Sequence, residues 1–219
     1  MLAKLVDGAI DPARMDVAVD AVAEELIPAF LDLDGAVLGY WAADTVTGRV
    51  LTMTMWRDVP ALRGAAASDG AARATVGERI GLRLNSIQTL PVLACSPTTD
   101  LTGDPKEPGC IRVTWVDGVT PALRELVPEH YGSALADQSV TPGFRGSCWL
   151  GDEQSVEGCG VSLWEGHGDL AAGAHASRRR RRRLSRTMGI RVTSVHEYRI
   201  LGIARATSKA RPALQVAGV

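Results

Sequence analysis

The chain holds 219 residues, 46% of them hydrophobic and 22% charged, with a formal net charge of −1. That balance describes a folded chain with one large core or two small ones, and it excludes disorder and a general bias towards nucleic acid. The apolar runs fall short of the about 20 residues a membrane helix needs, and MLAKLVDGAIDPARMD has no apolar core before a small-residue cleavage site. No membrane span and no signal peptide are therefore expected, and the chain reads as cytoplasmic.

A short alternating strand, Leu2–Val6, comes first. Asp11 then precedes Pro12, an N-cap oxygen ahead of a proline that needs no amide hydrogen at the first helical position, and a helix is predicted over Pro12–Phe30. Strands follow at Ala36–Ala42 and Arg49–Trp56, a helix at Ala61–Ile80 and a strand at Leu82–Leu93. Cys95–Gly109 is rich in Pro, Gly and Thr and reads as a linker. Beyond it, CIRVTWV is a strand, and Thr120-Pro121 repeats the capped helix start, with the helix running to about Ala136. GFRGSCWL and CGVSLW are strands around the turn GDEQSVEG. Asp169–Met188 is a helix stopped by Gly189, and IRVTSVHEYRIL is the last strand.

From Gly35 onward the second set of elements repeats the first, 108 positions on, and upstream of it the offset drifts slightly while the pattern persists. Gly35, Trp41, Asp44 and Trp56 meet Gly143, Trp149, Asp152 and Trp164. Arg73 meets Arg181, Gly81 meets Gly189, and Ser86 meets Ser194. Four of the five tryptophans fall in register, which chance does not explain for so rare a residue. The element order, strand-helix-strand-strand-helix-strand, is ferredoxin-like. An α+β fold of two βαββαβ modules is expected, over 1–94 and 110–205, joined by the linker 95–109 and followed by a tail, 206–219. Each module would have an antiparallel sheet with both helices on one face. The bare faces would pack against each other, so that the chain is a monomer through an internal pseudo-dimer.

The stretches TPGFRGSCWLGD, GVSLWEGHGDLAAGAH and MGIRVTSVHEYRI resemble the dimeric α/β barrel superfamily, near the antibiotic-biosynthesis-monooxygenase type, in a tandem, fused form. In that family Pro-Gly-Phe begins the second strand, a strand ends in Trp plus an acid, and a helix follows. The resemblance implies an intramolecular dimeric α/β barrel. It also implies an oxygenase-like enzyme working without a cofactor on a planar aromatic or polyketide-type substrate. Two other readings stay open: a haem-binding or haem-degrading protein, and a non-catalytic module that binds a small planar molecule.

Strand alternation assigns the candidate site. Phe144, Gly146, Cys148 and Leu150, with Val161 and Leu163, form an apolar set expected under the helices. Arg145, Ser147 and Trp149, with Ser162 and Trp164, form the other set. Its counterparts in the first half include Trp41 and Trp56. These mixed sets are expected between the modules, where rings and a few polar atoms would hold a flat ligand; packing alone is the other account of the tryptophans. Arg145 would hold an oxyanion. His175 or His196 would move protons, and His175 would be the iron ligand in the haem reading. A solvated or internally satisfied histidine is the plainer account of each. The lone asparagine, Asn85, occupies neither place at which such relatives use one. The four cysteines lack metal-ligand spacing and are expected as reduced thiols, with Cys148 and Cys159 either small buried hydrophobes or opposed on a hairpin. The run Arg178–Arg183 covers every side of its helix, leaving a solvated surface or an anion patch.

Overall fold

Eight strands close into one antiparallel barrel in the computed structural model, which describes residues 1–96, 109–152 and 156–206. The first half supplies β1 (Leu2–Ala9), β2 (Ala36–Ala43), β3 (Arg49–Trp56) and β4 (Arg83–Cys95). The second supplies β5 (Cys110–Asp117), β6 (Phe144–Gly151), β7 (Glu157–Trp164) and β8 (Arg191–Arg205). The order around the barrel is β1-β3-β2-β8-β5-β7-β6-β4. Each half is thus a four-stranded sheet with its first strand central, and the sheets join edge to edge through β2–β8 and β4–β6. Most of the expected linker, and the tail beyond Ala206, lie outside the described residues.

The helices lie outside the barrel. In the first half they are a 3-10 turn at Pro12–Arg14, α1 (Met15–Ala21), a π-helical turn at Val22–Leu26, α2 (Ile27–Leu31) and α3 (Val59–Ile80). The wide turn precedes Pro28, which removes one amide donor from the helical ladder. In the second half they are α4 (Pro121–Ser139), α5 (His167–Ala172) and α6 (Ala174–Met188). Asp11 caps as expected, accepting from the Ala13 amide at 2.9 Å, whereas the Thr120 side chain makes no cap. Gly81 and Gly189 end α3 and α6 with φ of 70° and 66°, a left-handed conformation in which a Cβ is strained. Among the described residues, no helix is long and apolar enough to cross a membrane.

Inside the barrel the sheets meet face to face over a filled core. Leu5, Tyr40, Met53, Ile111, Val113, Leu150, Val161, Leu163 and Tyr198 are among its buried members. This reverses the expected faces: Cys148, Leu150, Val161 and Leu163 point inward, and Trp41, Trp56 and Trp164 lie under the helices. The chamber expected between the sheets is therefore solid. An eight-stranded barrel is just wide enough for its own medium-sized side chains. A buried indole also needs an acceptor. Trp56 Nε1 donates to Thr54 Oγ1 at 3.1 Å and Trp164 Nε1 to Ser162 Oγ at 3.0 Å, each two residues back on the outer face.

The cysteines also differ from expectation. Cys95 and Cys148 form a disulfide across the β4–β6 seam, so Cys148 is not a reduced thiol and its partner is not Cys159. Cys110 and Cys159 are free and buried, and burial pushes both thiols upward, away from the reactive thiolate.

Candidate functional site: a cavity beneath the helices of the second half

A cavity of about 130 Å³ lies between the second-half sheet and helices α4 and α6. Its floor is the outer face of β5, β6 and β7, with Thr114, Trp149, Gly158 and Gly160 among the residues there. Its roof includes Val127, Ala134 and Gln138 from α4, and Leu184 and Met188 from α6. Arg112, Arg180 and Arg181 form its charged wall, beside Ser147, Ser162 and Ser177.

The first half has the same place in its fold, closed. There a space of about 10 Å³ is lined by Leu26, Phe30, Trp41, Asp69, Ala72 and Arg73. Counting on 108 residues from these gives Ala134, Gln138, Trp149, Ser177, Arg180 and Arg181, all on the large cavity, whereas Ala29 and Leu33, which also line the small space, match Asp137 and Thr141, which do not line the large one. Phe30 fills the first-half space, edge-on to Trp41 at 5.7 Å and to Trp56 at 5.6 Å. Gln138 and Ala134 stand where Phe30 and Leu26 would plug the second. On the floor, Gly158 and Gly160 replace Val50 and Thr52 in register, and a Cβ built on Gly160 meets nothing closer than 4.0 Å.

Arg112 is 3% exposed and held from two sides. Its Nε donates to Glu197 Oε1 at 2.8 Å and its Nη2 to the Leu170 carbonyl at 3.1 Å, and its guanidinium lies 5.7 Å from the Trp164 ring centre. Its Nη1 is buried with no partner, as is Arg180 Nε. Burial, and repulsion from Arg112, hold Arg180 and Arg181 below the usual arginine range; Asp137 opposes this for Arg180 and Glu197 for Arg181. The arginine run therefore divides: Arg180 and Arg181 are half-buried on the cavity, while Arg178, Arg179, Arg182 and Arg183 are exposed.

The expected site residues separate in the same way. Trp149, Ser147 and Ser162 line the cavity, although under helices rather than between sheets. Tyr131 on α4 packs edge-on against Trp149 at 5.5 Å and donates to the Ser147 carbonyl at 2.6 Å, orienting that wall. Trp41, Trp56 and Trp164 are packing residues. Arg145 pairs with Glu165 and does not line the cavity. His175 is exposed on α6, away from the lining of this cavity. No histidine lines the cavity, and the described residues hold no cluster of His, Cys, Asp and Glu suited to a metal. Sequence reasoning did not single out Arg112 or Ser177, and it took Arg180 and Arg181 only as part of the arginine run, not as cavity lining. The signal for them was the loss of Asp69 at the aligned position 177, beside a retained arginine.

His196 belongs to a separate network at one end of the barrel. Arg49 makes a two-pronged pair with Asp7 at 2.8 and 3.0 Å, Asn85 donates to Asp7 at 3.1 Å, and Arg49 Nη1 lies 2.9 Å from the His196 ring nitrogens. Burial and Arg49 lower the His196 pKa, against Asp7. The unfolded chain therefore takes up this proton first, and stability should fall as pH drops below the ordinary histidine value of about 6.5. His196→Gln should flatten that part of the profile, read as denaturation midpoints from pH 8 to pH 5; an unchanged slope would contradict the assignment.

No protein-family model matches the sequence, and no curated protein resembles it closely enough to count as a relative. Solved structures do share the fold. A candidate monooxygenase from Fusobacterium nucleatum superposes with a TM-score of 0.66 at 10% identity, over 93% of this chain and 94% of that one. An anthrone oxidase-like protein gives 0.61 at 18% identity, over 97% and 96%. A haem-binding protein from Thermus thermophilus gives 0.54 at 8%, over 91% and 90%. The chain is thus an α+β barrel protein similar in fold to monooxygenase-like and haem-binding proteins.

Proposed function

We propose that the chain is an oxygenase of the antibiotic-biosynthesis-monooxygenase type, formed from two fused modules, 1–94 and 110–205, with one reaction site in the second. The observation that carries this is the asymmetry of the two halves: one sheet–helix space is plugged by Phe30, and its counterpart is an apolar cavity with a charged wall. A flat aromatic ring fits against Trp149, and the guanidiniums meet the negative charge that develops when an electron-rich ring loses a proton. Such an anion can pass electrons to dioxygen without a metal. For an anthrone, one oxygen atom becomes the new carbonyl, and the other leaves as water with the two methylene hydrogens. The anthrone oxidase-like neighbour and the candidate monooxygenase, which share the fold, support the reading. His175 and His196 have no place in it, and the substrate's own acidity, raised by the arginine field, replaces a protein base.

The test is oxygen uptake with 1,8-dihydroxyanthrone in the presence of a metal chelator. The wild type should accelerate uptake in proportion to protein, and Trp149→Ala should lower the rate roughly tenfold or more by losing the ring wall. No acceleration by the wild type would remove the oxygenase reading. A Soret shift with haemin that survives His175→Ala would instead favour a haem site whose ligand is not His175.

A further inference from the structure

The two halves treat one charged position differently. In the first half, Lys4 on β1 and Arg73 on α3 share a single buried acceptor, Asp69: Lys4 Nζ lies 2.9 Å from Oδ2 and Arg73 Nε lies 2.7 Å from Oδ1. Strand pairing fixes the matching residues. Lys4 faces Thr54 and Thr89, and Arg112 faces Ser162 and Glu197, each 108 positions on. Arg181 matches Arg73, and Ser177 matches Asp69. The second half keeps both cations, adds Arg180 where the first has Ala72, and replaces the carboxylate by a buried serine.

The consequence is visible in the hydrogen bonds. Arg112 is nearly wholly buried and lines the cavity, yet its Nη1 has no partner, and Arg180 Nε is likewise unpartnered. Glu197 meets Arg112 from the strand side and is 38% exposed, so it leaves the cavity side open. A buried donor with no acceptor is costly, and three guanidiniums on one wall repel each other. Both costs are relieved by one anionic group in the cavity.

We propose that the cavity selects ligands bearing a carboxylate, held between Arg112 and Arg181 in the place that Asp69 fills in the first half. This rests on the cavity being the ligand site, as proposed above, and adds to it a preference for aromatic acids over the same rings without the acid group. The ring lies towards Trp149, Gly158 and Gly160, and the acid group lies towards Ser177. The first half carries its own carboxylate and no room; the second carries the room and takes the carboxylate from its ligand.

Calorimetric titration with sodium 2-naphthoate and with 2-naphthamide separates charge from shape, since the two share one ring system. Naphthoate should bind roughly tenfold or more tightly than the amide. Ser177→Asp should erase that preference, because the introduced carboxylate occupies the acid's place and meets the guanidiniums itself. It should also raise the thermal midpoint of the ligand-free protein, a readout independent of binding. Arg181→Gln, at a half-buried position, should weaken naphthoate several-fold more than the amide. Equal binding of the two probes, or a preference that survives Ser177→Asp, would overturn the carboxylate site. Amide binding with no gain for the acid leaves the cavity standing as a ligand site. Silence of both probes overturns this proposal, and oxygen uptake with the anthrone then decides separately on the reaction.

Discussion

Trp56→Ala is expected to lower folding stability by about 4 kcal/mol, and Trp164→Ala by a similar amount. Trp56 is fully buried and Trp164 is 1% exposed. Truncation removes a whole indole, the edge contact to Phe30 or Phe144, and the internal bond to Thr54 or Ser162. The helices rest on these rings, so the space left cannot collapse without moving α2 or α5 against the barrel. Loss at position 164 also strips the ring beside the Arg112 guanidinium, which then faces apolar surroundings with fewer neighbours. Trp149→Ala should behave differently. That ring is half-buried on the cavity wall, and its removal should cost much less stability and most of the ligand affinity. Denaturant midpoints for the three variants, beside naphthoate titrations, read both effects. Equal stability losses at all three positions would place Trp149 among the packing residues and weaken the site.

Asp69→Asn should cost about 3 kcal/mol at neutral pH, because it strands two cations that share one buried acceptor. Burial alone would raise the Asp69 pKa; Arg73 and Lys4 outweigh it, so the carboxyl is held below its usual range. The sign of the pH dependence follows. A folded-state pKa below the unfolded one contributes stability that is complete above the unfolded value, about 3.9. It disappears as pH falls through the folded value. The gap between wild type and Asp69→Asn should thus be constant through neutral pH and shrink as pH falls below about 4. A gap that persists at lower pH would mean that Asp69 contributes by packing and not by charge. Because Lys4 and Arg73 are 15% and 17% exposed, they turn partly to water in the variant, which keeps the loss below that of the tryptophans.

The alternating strands, capped helix starts and terminal glycines made the element order legible from local chemistry. Arg49–Trp56 matched as expected, and most other bounds moved by one to three residues. The helix expected over Pro12–Phe30 keeps its place but is divided by the turn before Pro28. The site was legible only in part. Trp149, Ser147 and Ser162 line a cavity under the helices and not the chamber expected between the sheets, since alternation separates two faces without saying which face meets the helices. Arg145 and the histidines drew attention as rare polar residues near the repeat landmarks. Their contacts lie elsewhere: Arg145 with Glu165, His196 with Arg49, and His175 on an exposed helical position.

The sequence by itself determined two matching sets of elements, the order of strands and helices in each, and the pairs of residues 108 positions apart. These depend on periodicity and local capping, which short stretches carry. Only the tertiary structure decided that the barrel interior is solid, that Cys95 reaches Cys148, and that the open space lies under α4 and α6. Those outcomes depend on side-chain volumes summed across strands distant in the chain, and on which buried charge meets an opposite one. Asp69 and Ser177 show the difference: where one half has a carboxylate shared by Lys4 and Arg73, the other has a serine, and Arg112 Nη1 and Arg180 Nε are left without a partner beside the Arg112–Glu197 pair.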